Sequence, residues 1–331
     1  MHRSGPPRRA ASAYAVALAF ALSANSAFAR TTDWPARPIR FVVPLPPGGG
    51  ADLVARTLGE KLNRALGQQI IIDNRPGGGT VIGAELVAHA APDGYSMLLG
   101  TATTHAINTS LVKKLPYDPV RDFSPVTLVA ILPLILVANA SLPADTLRDL
   151  IALARKRPGE ILFGSTGNGS TIHLAGEMLN TVAKVEMVHV PYRGASLALT
   201  ELLAGQIQFM FTTIPPALPH LKSGRLKALT VAHAKRSALL PDVPTTAEGG
   251  APGVEASSWN GVLFPRGTPA EIVARLAREL TAIMQQSDVR ERLSTAGVEP
   301  LTSTPAEFTA FMAAETARYA KVVKTSGARV D

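Results

Sequence analysis

The sequence predicts a layered α/β protein, and two observations carry that prediction. Short β-rich runs alternate with helix-like segments through most of the 331 residues. Three of those runs also open into loops of Gly, Ser and Thr that leave as helices.

The chain starts with a segment that does not belong to the fold. Arg3, Arg8 and Arg9 form a basic start, Ala10 to Ala24 an apolar run, and Ala27-Phe28-Ala29 a small-residue cleavage site. Residues 1–29 are therefore expected to be an export signal, cleaved after Ala29, and the mature protein to be periplasmic. Ala10-Ala11 after the arginine pair favours the general route over the twin-arginine one. Cleavage lowers the formal charge from +8 to +5. Without Lys/Arg clusters interleaved with aromatics, nucleic acid is excluded as a partner, and the mild positive excess favours anions. The chain has no cysteine, so disulfides, thiol catalysis and cysteine-held metals are excluded. About 300 mature residues suffice for two lobes.

The mature elements then follow in order. Ile39–Val43 reads as a strand, and Asp52–Leu66 as a helix whose Leu58, Leu62 and Leu66 share one face. The intervening glycine loop is not a phosphate-cradling Walker loop, because Gly50 is followed by Ala51, Asp52 and Leu53 rather than Lys and Ser/Thr. After a strand at Gln69–Ile72, the glycines at 77, 79 and 83 miss the dinucleotide fingerprint by one residue. A strand at Ser96–Leu99 runs into Gly100–Asn108. Val126–Ala140 is too short, and too interrupted by Pro133, to span a membrane; two buried strands or one strand crossing between lobes are expected. Further strands are expected at Ile161–Gly164, Glu186–Val190, Ile207–Phe211 and Leu226–Val231. The C-terminal end reads as helical, with capping boxes at Thr268-Pro-Ala-Glu271 and Thr304-Pro-Ala-Glu307.

The loops after residues 43, 99 and 164 offer hydroxyls and helix-start N–H groups without an obligatory charge. Taken singly, each could be a tight turn with a capped helix. Converging beyond the carboxyl ends of their strands, they would make a cage for a carboxylate.

Pro44-Leu-Pro-Pro-Gly-Gly-Gly-Ala-Asp52, Asp73-Asn-Arg-Pro-Gly-Gly-Gly79, the Thr101 segment, Leu115-Pro-Tyr-Asp-Pro119, the Gly164–His173 loop and Val190-Pro-Tyr-Arg-Gly194 with Ala198-Leu-Thr-Glu-Leu202 together resemble the Bug receptors. These are extracytoplasmic solute-binding proteins of tripartite tricarboxylate transporters. The resemblance implies a periplasmic binding protein of type II-like fold, with lobe 1 at 30–130 plus 256–331 and lobe 2 at 131–255. It further implies a cleft that closes on a small organic acid, the membrane components of such a transporter as partner, a monomer, and no enzymatic activity, cofactor or metal. Carried over by position, the ligand-binding residues are Gly49, Gly50, Ala51 and Asp52, then Ser165, Thr166, Gly169, Ser170 and Thr171, with Thr101, Thr103 and Tyr192 lining the remainder. Leu45, where many members carry an aromatic, is expected to face the ligand.

Asp52 in the first turn of its helix is expected to offset the helix dipole, or alternatively to meet a ligand ammonium. His105 and His173 are expected to be hydrogen-bonded structural residues, and Trp259 to be core. Arg193 is expected to be solvated, with pairing to a distal carboxylate as its functional alternative. A secreted hydrolase is disfavoured because no Gly-x-Ser-x-Gly elbow occurs. A receptor that presents its liganded form to a membrane sensor remains the alternative function.

Overall fold

The computed structural model describes residues 34–326, together with His2 and Ala328. Apart from His2, the expected signal segment lies outside the described residues. A compact unit begins at Pro35.

The elements of that unit are β1 (Ile39–Val43), α1 (Gly50–Leu66), β2 (Ile70–Asn74), α2 (Val81–Ala88), β3 (Ser96–Thr101), α3 (Asn108–Leu111), β4 (Phe123–Asn139), α4 (Leu147–Lys156), β5 (Leu162–Ser165), α5 (Thr171–Ala183), β6 (Val188–Pro191), α6 (Ala195–Leu203), β7 (Phe209–Thr213), α7 (Ile214–Lys222), β8 (Leu226–Val231), β9 (Ser257–Pro265), α8 (Ala270–Met284), α9 (Ser287–Ser294), β10 (Glu299–Pro300) and α10 (Pro305–Ser326). A 3₁₀ turn at Gly78–Thr80 and a π-turn at Thr103–Ile107 complete them.

The strands follow the order β2-β1-β3-β9-β4-β7-β5-β6, with β8 and β10 also paired to β4. β1 is parallel to β2 and β3, and β5 is parallel to β6 and β7. The pairs that include β9 or β4 are antiparallel. Each parallel cluster forces its connections across the sheet as helices, so its loops gather at one edge, where the strands end.

Val126–Ala140 resolves as part of one 17-residue strand rather than two. β4 pairs with β9 from Phe123 to Pro133 and with β7 from Leu134 to Ala138. Pro133 has no N–H for a ladder, so it is tolerated where partners change, and Leu134 N–H bonds Ala256 O at 3.3 Å. The apolar cores divide at the same place. Phe163, Phe209, Phe211 and Leu136 belong to a core drawn wholly from residues 134–256, and Val42, Leu98, Trp259, Phe308 and Tyr319 belong to another. Two lobes result, joined by the continuous β4 and by the run of Ala256 into β9. Leu174 of α5 is the exception, packing into the Trp259 core.

β1 and β8 match their expected bounds, and Leu58, Leu62 and Leu66 are buried together as the leucine spacing requires. β2, β5, β6 and β7 begin one or two residues late. They also run on into Asn74, Ser165, Pro191 and Thr213, so the backbone ladder outlasts the apolar pattern and, in β2, β5 and β7, delivers a polar residue to the strand end. The Thr304 box forms, with Thr304 N–H donating to Glu307 Oε2 at 2.8 Å and Glu307 N–H to Thr304 Oγ1 at 3.2 Å. The Thr268 box does not: Pro269 takes the cap position of α8, and Thr268 Oγ1 donates to Pro265 O at 2.8 Å instead. A box that the sequence reading missed caps α4, between Thr146 and Asp149.

Candidate functional site

Four helix starts meet around one cavity of about 810 Å³, open mouth included. α1 brings Gly49, Gly50, Ala51 and Asp52, α5 brings Ser170, Thr171 and Ile172, α6 brings Gly194 and Ala195, and Thr213 precedes α7. Thr101 at the end of β3 and Thr103 after it, Thr166 and Asn168 after β5, and Leu132, Leu134 and Ser258 from the lobe crossing complete much of the wall. Gly49, Gly194 and Thr213 give their helices no side-chain cap, but α7 opens on Ile214-Pro215-Pro216, whose prolines carry no N–H, so the free donors come from the other starts. The first N–H groups of a helix lack an internal acceptor and carry the positive end of its dipole. A cavity faced by several such starts is built for an anion. Among the described residues, Asp52 is the only charged one in its lining.

That charge is already balanced. Asp52 Oδ2 accepts from Gly48 N–H at 3.1 Å and Arg56 Nε at 2.9 Å, and Oδ1 accepts from Asn74 Nδ2 at 3.1 Å. Burial alone would raise the carboxyl pKa, but the bonds from Arg56, Gly48 and Asn74 outweigh it and hold Asp52 below its ordinary value. The carboxylate thus fixes the glycine loop to α1, with both oxygens committed to protein donors.

The β5–α5 loop is fastened from below. Ser165 Oγ accepts from Gly167 N–H at 3.0 Å and lies 2.6 Å from His189 Nε2. Gly169 N–H donates to His173 Nδ1 at 3.0 Å. The rings of His173 and His189 stack at 3.8 Å, and His173 Nε2 is 3.5 Å from Glu177 Oε1. Burial, and after it the neighbouring His173, push the His189 pKa down to about 3. His173 is thus a hydrogen-bonded structural residue, and so is His105, whose Nδ1 lies 2.7 Å from Thr104 Oγ1.

Of the residues expected to bind ligand, Gly49, Gly50, Ala51, Asp52, Thr101, Thr103, Thr166, Ser170 and Thr171 line the cavity together. Ser165, Gly169 and Tyr192 do not. Ser165 is fully buried against His189, the Gly169 N–H is taken by His173, and the Tyr192 ring packs toward Gly164 and the lobe-2 core. Leu45 faces the cavity as expected. Trp259 is fully buried, and Arg193 lies in an adjoining groove beside Pro44, Pro46, Pro76 and Gly77.

Sequence reasoning missed Pro46, Gly79, Thr80, Leu132, Leu134, Asn168, Ile172, Gly194, Ala195, Thr213 and Ser258 as lining residues. For Gly79 and Thr80 the signal was the glycine triplet, set aside as a failed dinucleotide motif. Thr80 holds φ +77°, unusual and strained for a β-branched residue by about 1–3 kcal/mol. The lobes touch around the cavity. A Cβ at Gly194 would stand 2.8 Å from Pro46 Cγ, and one at Gly48 3.2 Å from Ser196 Oγ.

The model of the tripartite tricarboxylate transporter family receptor matches residues 54–328. The chain belongs to this receptor family. It is 39% identical over 300 residues to BugT of Bordetella pertussis, covering 90% of this chain and 91% of that one. Among solved structures, an R. palustris protein with adipate is similar at 38% identity and TM-score 0.87, over 90% of this chain and all of that one. The periplasmic binding protein BugD is similar at 33% identity and TM-score 0.85, over 89% of this chain and 99% of that one. The two-lobed architecture of this receptor is thus that of the periplasmic binding proteins.

Proposed function

We propose that this receptor captures a small organic carboxylate in the cavity between its lobes and presents it to the membrane components of a tripartite tricarboxylate transporter. The carrying observation is the meeting of three helix starts with free N–H groups, those of α1, α5 and α6, around a cavity with no cation among its described lining residues, since such a site takes an anion through main-chain N–H groups. The adipate held by the similar R. palustris protein supports the same class. The glycine loop and the N-terminal turn of α5 receive one carboxylate, and Thr101, Thr103, Thr166 and Ser170 contribute hydroxyls.

The rest of the reading follows. The mature receptor starts at Arg30 in the periplasm, acts as a monomer and releases its ligand unaltered. Lobe 1 is 30–130 plus 256–331 and lobe 2 is 131–255; the division of the cores and the change of β4 partners at Pro133 support these bounds to within a few residues.

A thermal-shift panel of citrate, malate, adipate, glutamate and aromatic acids against neutral sugars tests the carboxylate. A ligand at about one hundred times its dissociation constant stabilises the folded state by about 2.7 kcal/mol, enough to move the melting temperature visibly. Stabilisation by sugars alone, or turnover of a bound acid, would overturn the proposal.

A further inference from the structure

Thr80 stands at the start of α2, the position where a threonine hydroxyl ordinarily satisfies the free N–H groups of its own helix. No such bond forms: the backbone sits at φ +77°, ψ −1°, not in the extended conformation that a capping residue ordinarily holds. Its Oγ1 is buried without a protein partner, although the residue is only 6% exposed. Thr80 also lines both the cavity and the adjoining groove that holds Arg193.

The loop keeps it there. Gly77, Gly78 and Gly79 all have positive φ, the Gly79 carbonyl accepts from Asn108 Nδ2 at 3.1 Å, and Val81 N–H bonds Gly78 O. Glycine or asparagine holds a left-handed backbone with less strain, so threonine at this position works against local preference. A buried hydroxyl without a partner is itself unfavourable until something bonds it.

We propose that Thr80 is a specificity-determining residue whose hydroxyl bonds a second polar group of the ligand, beyond the carboxylate received at the helix starts. This rests on the carboxylate reading of the cavity. It narrows the ligand to acids with a further oxygen, as a second carboxylate, a hydroxyl or a keto group. An alkanoate tail would leave the Thr80 hydroxyl unbonded and is selected against for that reason.

Calorimetric titration of the mature protein with adipate, malate and butyrate, in the wild type, Thr80→Val and Thr80→Gly, tests this. The wild type binds adipate or malate more tightly than butyrate. Thr80→Val keeps the side-chain shape and loses the hydroxyl, so it weakens the preferred acid about tenfold and leaves butyrate unaffected. Thr80→Gly raises the melting temperature of the unliganded protein by relieving the backbone, yet loses the same affinity. A merely structural threonine would not move stability and affinity in opposite directions. A wild type that takes neither these acids nor any acid of the thermal-shift panel overturns the carboxylate reading and this inference with it. A wild type that binds adipate or malate no better than Thr80→Val does, or that prefers butyrate, overturns the role of Thr80 alone.

Discussion

Asn74, the last residue of β2, bonds across to Asp52 in the first turn of α1, with Nδ2 3.1 Å from Asp52 Oδ1 and 3.0 Å from the Leu45 carbonyl. One amide thereby ties the entry of the glycine loop to its exit. Asn74→Ala frees the Leu45 carbonyl and loosens the loop while leaving the lobe cores intact. The expected loss is about 1–3 kcal/mol of stability and about a tenfold drop in ligand affinity, the latter because a mobile helix start must be ordered on binding. Parallel urea unfolding and calorimetric titration check both; unchanged affinity would show that the loop is held from elsewhere.

Gly49 and Gly50 respond oppositely to a side chain. Around a Cβ at Gly49 nothing lies within 4 Å, and its φ of −90° suits any residue. Gly49→Val therefore folds, apart from a weaker cap costing about 1 kcal/mol, and fills the space that a carboxylate would occupy. A Cβ at Gly50 would stand 2.5 Å from Leu132 Cδ2 and 3.0 Å from Thr213 Oγ1. Gly50→Val destabilises the protein itself. Circular dichroism with a binding assay separates the two, and a Gly49→Val protein that binds normally would place the ligand outside this cavity.

Acid weakens the fold through histidines before it does so through carboxylates. Burial pushes His105 down to about 3, and burial with the adjacent His173 does the same to His189, against 6.5 in an unfolded chain. Between those values the unfolded chain binds protons that the folded one refuses, so this contribution is complete above about pH 6.5 and is lost as pH falls toward 3. Asp52, held below its ordinary 3.8, contributes stability that is present above that value and lost only at more acidic pH. The urea midpoint is expected to fall from pH 7 to pH 5, and His189→Gln to flatten that fall. A midpoint independent of pH over this range would mean that both imidazoles are hydrated.

The two Thr-Pro-Ala-Glu sequences behave differently because only one closes as a box. Thr304→Ala lowers stability by about 1 kcal/mol, and Glu307→Ala lowers the urea midpoint with it. Glu271→Ala leaves the midpoint where it was, since Thr268 is turned to Pro265. Equal effects of Glu271→Ala and Glu307→Ala would contradict the arrangement at α8.

Legibility in the sequence followed the range of the forces involved. The presence of most strands and the leucine face of α1 were readable because periodicity is local, and the glycine loop because turn chemistry is local; the strand starts were one or two residues out in β2, β5, β6 and β7. Nine of the twelve expected ligand residues do line the cavity. Ser165 and Gly169 stay off the cavity wall because their partners, His189 and His173, come from β6 and α5, and no spacing rule exposes an inward-turning serine. Leu132, Leu134 and Ser258 were invisible because they reach the wall only through the crossing of β4 and β9. Gly194 ends the Val190–Gly194 motif and Ala195 follows it; what the sequence lacked was the packing of Gly194 against Pro46 that brings α6 to the cavity.

The placing of β9 also sets an order of events during synthesis. β9 lies between β3 and β4, and until residues 257–265 emerge those two strands keep their facing edges unpaired. The core of residues 134–256 is contiguous in the chain and can close without them. Lobe 2 is therefore complete while lobe 1 is still an open sheet, and lobe 1 must wait for long-range pairings, the slowest kind to form. A chain cut after Ala256 would keep one finished lobe beside bare strand edges, the form most prone to aggregate.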